Sequence, residues 1–303
     1  MRHFVTGALA STLLMIASPT FAESATLGVG HFFVNDFLGD GHDRWRTGSF
    51  AVSLMFGRPD ASDLPDTPGA LTELRLRTEI IAPRHLNDAG PFDRPYVGEL
   101  TFGAHTQFQQ NGLEYSLGLD IVAVGKATGV SSFQRWFHEN LLGMHFSGLA
   151  PELPNAIYPT VSAEVAKTIP LSPAVAMRAF GEVQAGVETF VRVGADLSIG
   201  DFCSSEVRVR DTVTGFRYKA LPCDTRGRLF AVVGADVTSV LDSNLLPASP
   251  GLTPTPVRRR LRVGFQFEGQ TTDVFYGVTW LSKEFEQQKS GQIVGALNIN
   301  FKF

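Results

Sequence analysis

The sequence predicts an all-β fold, a transmembrane antiparallel β-barrel of about 12 strands. Three observations lead to this prediction. The chain of 303 residues has 30 Gly and 24 Phe, whereas only 18% of its residues are charged. Short segments in which apolar and polar side chains alternate recur along the chain. The last of these segments ends on an aromatic residue, Phe303. The formal net charge of −4 gives no nucleic-acid signature.

The first element is a secretory signal peptide, predicted over residues 1–22. Arg2 precedes an apolar run at residues 4–17, and the small residue Ala22 closes the segment. The mature barrel is then expected to span residues 23–303. The apolar run is shorter than the roughly 20 residues that a transmembrane helix needs, and no other window of the sequence approaches that length. A helical membrane protein is therefore not expected.

The strands follow, and the final one shows the pattern most clearly. Ile293, Leu297 and Ile299 alternate with polar residues such as Asn298, so one face can meet lipid while the other meets a polar lumen. Strands are predicted at residues 25–35, 47–57, 70–83, 96–109, 113–125, 158–168, 173–186, 188–200, 226–239, 258–268, 272–284 and 291–303. Because their number is even, both termini are expected on the periplasmic side.

The even number of strands also assigns each connection to one side of the membrane. Residues 36–46, 84–95, 126–157, 240–257 and 285–290 are expected to be extracellular, and residues 110–112 and 169–172 to be short periplasmic turns. The segment between Cys203 and Cys223 falls on the periplasmic side and is unusually long for it. As the chain has two cysteines and is exported, a disulfide between them is expected rather than a metal or catalytic pair.

Polar residues in two of the extracellular segments are candidates for chemistry. Asn35, Asp36, Asp40 and Asp43 supply hard oxygen donors of the kind that bind calcium, although they do not match the EF-hand spacing. On composition alone, a solvated acidic loop is the simpler interpretation. Residues 131–142 are predicted to form a short helix across the barrel mouth.

In that helix Gln134 and His138 share one face. A histidine held neutral near a cation can act as a general base towards water, whereas an isolated loop histidine is usually only solvated. A second histidine, His105, is predicted to line the lumen as an ordinary polar residue.

The order of these residues is similar to that in the outer-membrane lipid A 3-O-deacylase family. The matching segments are Asn35-Asp36, then Asp43 to Gly48, then Asp93-Arg94-Pro95-Tyr96-Val97-Gly98, then Gln134 to His138. The Asp-Arg-Pro-Tyr element is the most specific of them, and the similarity covers essentially the whole mature chain. The resemblance implies a twelve-stranded barrel that uses Ca²⁺ to hydrolyse the ester of the 3-linked acyl chain of lipid A.

The resemblance also implies roles for particular residues. His138 would be the general base, while Asn35 and Asp36 would organise the calcium or oxyanion site, and Thr47 matches the family's functional threonine. Two departures are visible. Gly48 follows Thr47 where the family usually has an intervening Asn. The family's glutamate downstream of the histidine is also missing from residues 143–148, and the nearer Glu139 either orients His138 or, as its adjacency favours, lies in solvent.

The expected function is therefore an acyl-ester hydrolase of the outer leaflet, with lipopolysaccharide as substrate and the barrel-assembly machinery as a partner during biogenesis. A terminal residue such as Phe303 resembles the signal that this machinery reads. Two alternatives stay open at this point. The missing glutamate is compatible with a non-catalytic barrel, a structural protein or narrow pore. A soluble periplasmic β-sandwich is the third interpretation, and the terminal Phe303 argues against it.

Overall fold

The computed structural model describes residues 25–58, 64–85, 92–141, 143, 151–203, 206–221, 227–248 and 251–301. The predicted signal peptide, the terminal Phe303 and Cys223 lie outside these residues. Within them the strands are β1 (Ala25–Asn35), β2 (Trp45–Gly57), β3 (Leu71–Ala82), β4 (Val97–Gln110), β5 (Leu113–Val124), β6 (Ala156–Ser172), β7 (Val175–Ala185), β8 (Glu188–Gly200), β9 (Arg208–Arg210), β10 (Arg217–Lys219), β11 (Arg228–Ser243), β12 (Val257–Glu268), β13 (Thr272–Leu281) and β14 (Gln292–Phe301).

Twelve of these strands close into an antiparallel barrel, which confirms the predicted fold. Each barrel strand pairs with its neighbours along the chain, and β1 pairs with β14, with Phe33 opposite Leu297, to close the wall. The remaining strands, β9 and β10, form a separate hairpin between β8 and β11. We call the end of the barrel with both termini the terminal end and the opposite end the loop end.

One predicted turn is misplaced. Residues 169–172 were expected to form a periplasmic turn, but they belong to β6, where Ile169 pairs with Met177 and Pro170 with Ala176. The chain turns at residues 173–174 instead. A proline lacks the N–H that a ladder hydrogen bond needs, and proline within a sheet is found at edges and bulges. The register shift between Pro170 and Ser172 provides such a bulge, so β6 continues past the proline.

The two faces of the wall differ as the alternation predicts. Large apolar side chains on the outward rows are exposed, among them Leu76, Phe102 and Phe265. The inward rows carry buried ions, such as Asp236, which accepts hydrogen bonds from Arg260 at 2.9 Å and Arg262 at 2.5 Å. An apolar exterior and a polar interior are what a barrel in a membrane requires.

The β9–β10 hairpin fills the lumen from the terminal end. Phe216 stacks edge-on against Phe275 at 5.0 Å between ring centroids, and Tyr218 stacks on Phe32 at 5.2 Å. The Tyr218 hydroxyl also lies 2.8 Å from Ser53 Oγ. The long segment that parity placed on the periplasmic side is therefore an internal plug, a feature that the sequence did not reveal.

Charged side chains tie the plug to the wall. Arg210 donates hydrogen bonds to Glu164 at 2.5 Å and to Asp196 at 3.1 Å, and Lys219 Nζ donates to Asp273 at 3.0 Å. Cys203, at the start of this segment, is disulfide-bonded, in agreement with the predicted bridge.

Elements outside the barrel are few in the described ranges. A 3₁₀ helix, Asp36–Leu38, follows β1, and a second one, Lys126–Thr128, precedes helix α1 (Val130–Leu141). None of the helices in these ranges has the length and apolar character that crossing a membrane requires. Among the lumen residues His105 is buried, with Nε2 3.0 Å from Asp120 Oδ1, as predicted for a lining residue.

Candidate active site

The first segment of the candidate site folds over the outside of the barrel wall at the loop end. Gly295 belongs to the outward row of β14, and a β-carbon added there would clash with the backbone and side chain of Leu38. Tyr276, in the outward row of β13, donates a hydrogen bond of 2.8 Å to the Leu38 carbonyl oxygen. The 3₁₀ helix Asp36–Leu38 therefore lies outside the lumen, against the lipid-facing surface.

Helix α1 also begins outside the wall. Gly98 lies in the outward row of β4, and a β-carbon added there would come within 3.1 Å of Val130 Cβ. The helix therefore starts on the outer side of the rim, whereas the sequence predicted a position across the barrel mouth. The buried residues of the helix are Val130, Ser131, Gln134 and His138. Gln134 and His138 thus share one face, as predicted.

Asp36 is the centre of the hydrogen-bond network between these segments, and its side chain is only 1% exposed. Its Oδ2 accepts a hydrogen bond of 2.8 Å from the Arg44 N–H, and its Oδ1 accepts one of 3.0 Å from the Thr47 hydroxyl. Gln292 Nε2 donates to Oδ2 at 3.4 Å. Asn35, the residue before Asp36, caps the 3₁₀ helix, because its Oδ1 accepts the Phe37 N–H at 2.8 Å.

A β-bulge directs Thr47 to the site. The register between β2 and β3 shifts between Arg46 and Gly48, so Thr47 has no partner across the sheet. A bulge breaks the strict alternation of side chains. Arg46 consequently enters the lumen, where its guanidinium donates to Glu79 and Glu284, while the Thr47 hydroxyl reaches Asp36 and also bonds to Asp43 Oδ1.

Asp43 connects this network to the histidine. Its Oδ1 takes part in the hydrogen bond with Thr47, and its Oδ2 lies 3.5 Å from His138 Nε2. His138, Asp43, Thr47 and Asp36 thus form a continuous row of interacting side chains. Residues from three different segments of the chain meet here.

The electrostatics of the row centre on Asp36. Burial raises the pKa of its carboxyl to about 8, and the negative charges of Asp43 and Asp40 act in the same direction. The hydrogen bonds from the Arg44 N–H and the Thr47 hydroxyl oppose this rise without cancelling it. The Arg44 guanidinium is directed to Asp40, at 3.2 Å, and not to Asp36. An ionised Asp36 carboxylate therefore has no positively charged side chain directed to it among the groups that bond to it.

The oxygen donors of the row are suited in kind to a hard divalent cation, which prefers carboxylate, hydroxyl and amide oxygens. In the described ranges no group of three or more His, Cys, Asp or Glu side chains has the geometry of a metal site. The oxygen donors that the row offers are the carboxylates of Asp36 and Asp43 and the Thr47 hydroxyl. A cation would supply the positive charge that an ionised Asp36 carboxylate lacks.

The Asp93–Tyr96 motif braces the site and does not itself reach the row. Asp93 accepts hydrogen bonds from the backbone N–H groups of Arg84, at 2.6 Å, and Arg94. The fully buried Arg94 side chain bonds to Glu284 and to the Leu245 carbonyl oxygen. Tyr96 donates a hydrogen bond of 2.5 Å to Gln134 Oε1, which fastens α1 to the wall.

Two contributing residues were missed by the sequence reasoning, Gln292 and Glu284. Gln292 bonds to Asp36, to the Arg44 carbonyl oxygen at 2.6 Å and to the Arg46 N–H at 3.2 Å, and so links both ends of the chain. Glu284 joins Arg46 to Arg94. The partners Asp36, Arg46 and Arg94 lie more than 180 residues away in the chain, and no local pattern marks either residue.

The residues after His138 differ from the pattern that the resemblance implies. Glu139 is half-buried, and Asp43 is an acidic residue that contacts His138. Of residues 143–148, where the family's downstream glutamate is missing, residues 144–148 lie outside the described residues. Glu152 lies next to Tyr96, with Leu153 N–H donating to the Tyr96 carbonyl oxygen at 2.9 Å, and burial raises the pKa of the Glu152 carboxyl.

Comparison with known proteins identifies relatives of this barrel. A family model described as outer membrane protein LpxR matches residues 8–303. The solved structure of LpxR from Salmonella typhimurium is 17% identical in sequence and superposes with a TM-score of 0.72. The match covers 93% of this chain and 100% of the Salmonella chain. The β domain of the Bordetella autotransporter BrkA is 10% identical in sequence, with a TM-score of 0.46. That match covers 91% of this chain and 99% of the BrkA domain. No curated protein sequence matches the chain.

The family model spans nearly the whole chain, and the barrel has the fold of the solved Salmonella protein. Both findings agree with a location in the outer membrane. The chain therefore belongs to the outer membrane protein LpxR family.

Proposed function

We propose that the protein is an outer-membrane hydrolase that removes the 3-O-linked acyl chain of lipid A at the outer leaflet in a calcium-dependent reaction. The observation that carries the proposal is the position of the row His138–Asp43–Thr47–Asp36. The row lies between α1 and the 3₁₀ helix, two segments that fold over the outside of the wall. With the loop end extracellular, an ester of a lipid in the outer leaflet reaches these residues without leaving the membrane.

In this proposal His138 is the general base. It takes a proton from a water molecule whose oxygen attacks the ester carbonyl carbon. The C–O bond to the sugar then breaks, and the imidazolium gives the proton to the departing sugar oxygen, so that a fatty acid and a sugar hydroxyl are released. Asp43, 3.5 Å from His138 Nε2, orients the imidazole. Tyr96 and Gln134 keep the helix, and with it His138, at the rim.

Asp36, Asp43 and Thr47 are the residues that would hold Ca²⁺, and Asn35 would support them by capping the 3₁₀ helix. When bound, the cation supplies positive charge that stabilises the oxyanion formed from the ester carbonyl. The raised pKa of Asp36 supports this assignment, because a nearby cation would favour the ionised carboxylate that burial disfavours.

Mass spectrometry of lipid A tests the proposal. Purified protein in detergent is incubated with lipid A in the presence of calcium or of a chelator, and wild type is compared with His138→Ala and with the control His85→Ala, an exposed histidine elsewhere in the chain. We expect wild type and His85→Ala to lose one 3-linked acyl group with calcium only, and His138→Ala to leave lipid A intact. Intact lipid A in every sample would support a non-catalytic barrel instead.

A further inference from the structure

Helix α1 has an aromatic surface that the proposed reaction does not use. Phe133, Trp136, Phe137 and Leu141 are between 38% and 61% exposed. The rings form a continuous group, with Phe133 6.1 Å from Trp136 and 6.3 Å from Phe137 between centroids. A cluster of large exposed apolar side chains on one short helix marks a contact surface.

The residues of α1 divide into three stripes. An α-helix advances about 100° per residue. Residues 130, 131, 134 and 138 make one stripe, which is buried against the rim. Residues 133, 136, 137 and 141 make the aromatic stripe, and Ser132, Arg135 and Glu139 make a polar one. Asn140 falls beside the aromatic stripe, but its side-chain amide donates to the Trp136 carbonyl oxygen at 2.9 Å and is thus satisfied within the helix.

The arrangement of the stripes matches a helix at a membrane boundary. With one stripe held by the rim, the other two form opposite flanks of the helix, one aromatic and the other charged. A helix that lies along a membrane surface presents an apolar flank to the acyl chains and a polar flank to headgroups and water. Trp and Phe are typical of such flanks.

Helix α1 also starts on a surface that already meets lipid. The start of α1 covers Gly98 in the outward row of β4, and Phe102 of the same row is exposed further along the wall. On the other side of the site, Phe37 projects from the 3₁₀ helix that covers Gly295 and is 76% exposed. The lipid-facing surface of the barrel thus extends onto both segments that border the row.

We propose that the aromatic stripe of α1 is embedded in the acyl-chain layer of the outer leaflet and anchors the helix that carries His138 at the membrane surface. The occupant of this surface is the acyl chains of membrane lipids. The inference rests on the outer-membrane location and the contacts of α1, and it does not depend on the proposed hydrolysis.

Tryptophan fluorescence tests this proposal without any need for catalysis. The chain has three Trp residues, which are the fully buried Trp45, Trp136 on α1, and Trp280 in the outward row of β13. The protein is reconstituted in phosphatidylcholine vesicles with or without bromine on the acyl chains. Bromine quenches only those tryptophans that contact the chains. Wild type, Trp136→Phe and Trp280→Phe are compared, and folding of each is checked by its heat-modifiable mobility on gels.

We expect Trp136→Phe to lose a share of the quenchable emission similar to that lost by Trp280→Phe, the matched control on the wall. If the quenched fraction is unchanged in Trp136→Phe but falls in Trp280→Phe, the proposal is overturned. The aromatic stripe would then contact water or a protein partner. The measurement is repeated on His138→Ala. If Trp136 is quenched in His138→Ala as in wild type, the membrane contact of α1 does not require catalysis. Quenching of Trp136 in a wild-type protein that leaves lipid A intact would support this inference while the proposed hydrolysis fails.

Discussion

At the scale of single residues, the site depends on a carboxyl group that is buried with too few positive partners. Asp36 accepts hydrogen bonds from the Arg44 N–H and the Thr47 hydroxyl, and yet its pKa is raised to about 8. Burial is the largest cause of this rise, because the free energy lost on removing a carboxylate from water exceeds the free energy gained from these two neutral hydrogen-bond donors. A residue with this property is costly for stability and is therefore a candidate for function.

The raised pKa predicts how stability depends on pH. Between the ordinary pKa of 3.8 and about 8, the folded state binds more protons at Asp36 than the unfolded state. Stability is therefore expected to fall as the pH rises through this window, by up to about 1.4 kcal/mol per pH unit from this group. Thermal unfolding followed by circular dichroism in detergent with a chelator measures the effect.

The variant Asp36→Asn is the matched control for this prediction, because an amide of the same shape does not ionise. We expect the pH dependence to be flatter in Asp36→Asn than in wild type. If both proteins lose stability in parallel from pH 5 to pH 9, other groups are responsible and Asp36 is not protonated in the fold.

At the scale of elements, a buried hydrogen bond fastens α1 to the wall near the site. The buried Tyr96 hydroxyl donates to Gln134 Oε1, one turn of helix before His138. Tyr96→Phe leaves a buried amide oxygen without this donor, at a cost of about 1–3 kcal/mol. The proposed function then predicts a slower acyl release, by roughly tenfold or more, because His138 loses its fixed position.

Acyl release from lipid A, followed by mass spectrometry over time, measures this effect. Tyr115→Phe is the control, since Tyr115 stacks on Phe108 at the opposite end of the barrel. Equal rates for Tyr96→Phe and wild type would show that the helix keeps its place without the hydrogen bond.

Neighbouring strands are also joined by buried ion pairs between their lumen-facing side chains. Asp236 on β11 accepts hydrogen bonds from Arg260 and Arg262 on the neighbouring β12. Asp236→Asn removes a charge between two buried guanidinium groups, and breaking such a network costs about 3–5 kcal/mol. We expect a clear fall in the unfolding temperature, whereas Asp242→Asn, at an exposed position of the same strand, should leave it unchanged.

At the scale of the whole molecule, the lumen holds a plug. The β9–β10 hairpin occupies its terminal end, with Phe216 and Tyr218 packed against aromatic residues of the wall. This arrangement disfavours the narrow pore that the sequence left open as an alternative. We expect the wild-type protein to be electrically silent in planar bilayers.

Replacing residues 206–221 by a short Gly-Ser linker should open a conducting path, because the wall behind the hairpin is lined by charged side chains such as Glu164 and Asp196. Single-channel recording compares the two proteins. Steady conductance in wild type would contradict the plug, as would silence in the hairpin deletion.

The sequence by itself determined the barrel and much of the site. Strict alternation fixes which side chains face lipid, so nearly all strand bounds follow from it, and the family's motifs single out Asp36, Thr47 and His138. Only the tertiary structure decided how these residues meet. The bulge that turns Thr47, the partners Gln292 and Glu284, the placement of α1 outside the rim and the hairpin within the lumen all depend on contacts between distant segments. Local patterns record the period of a strand, whereas these contacts arise only once the sheet has closed on itself.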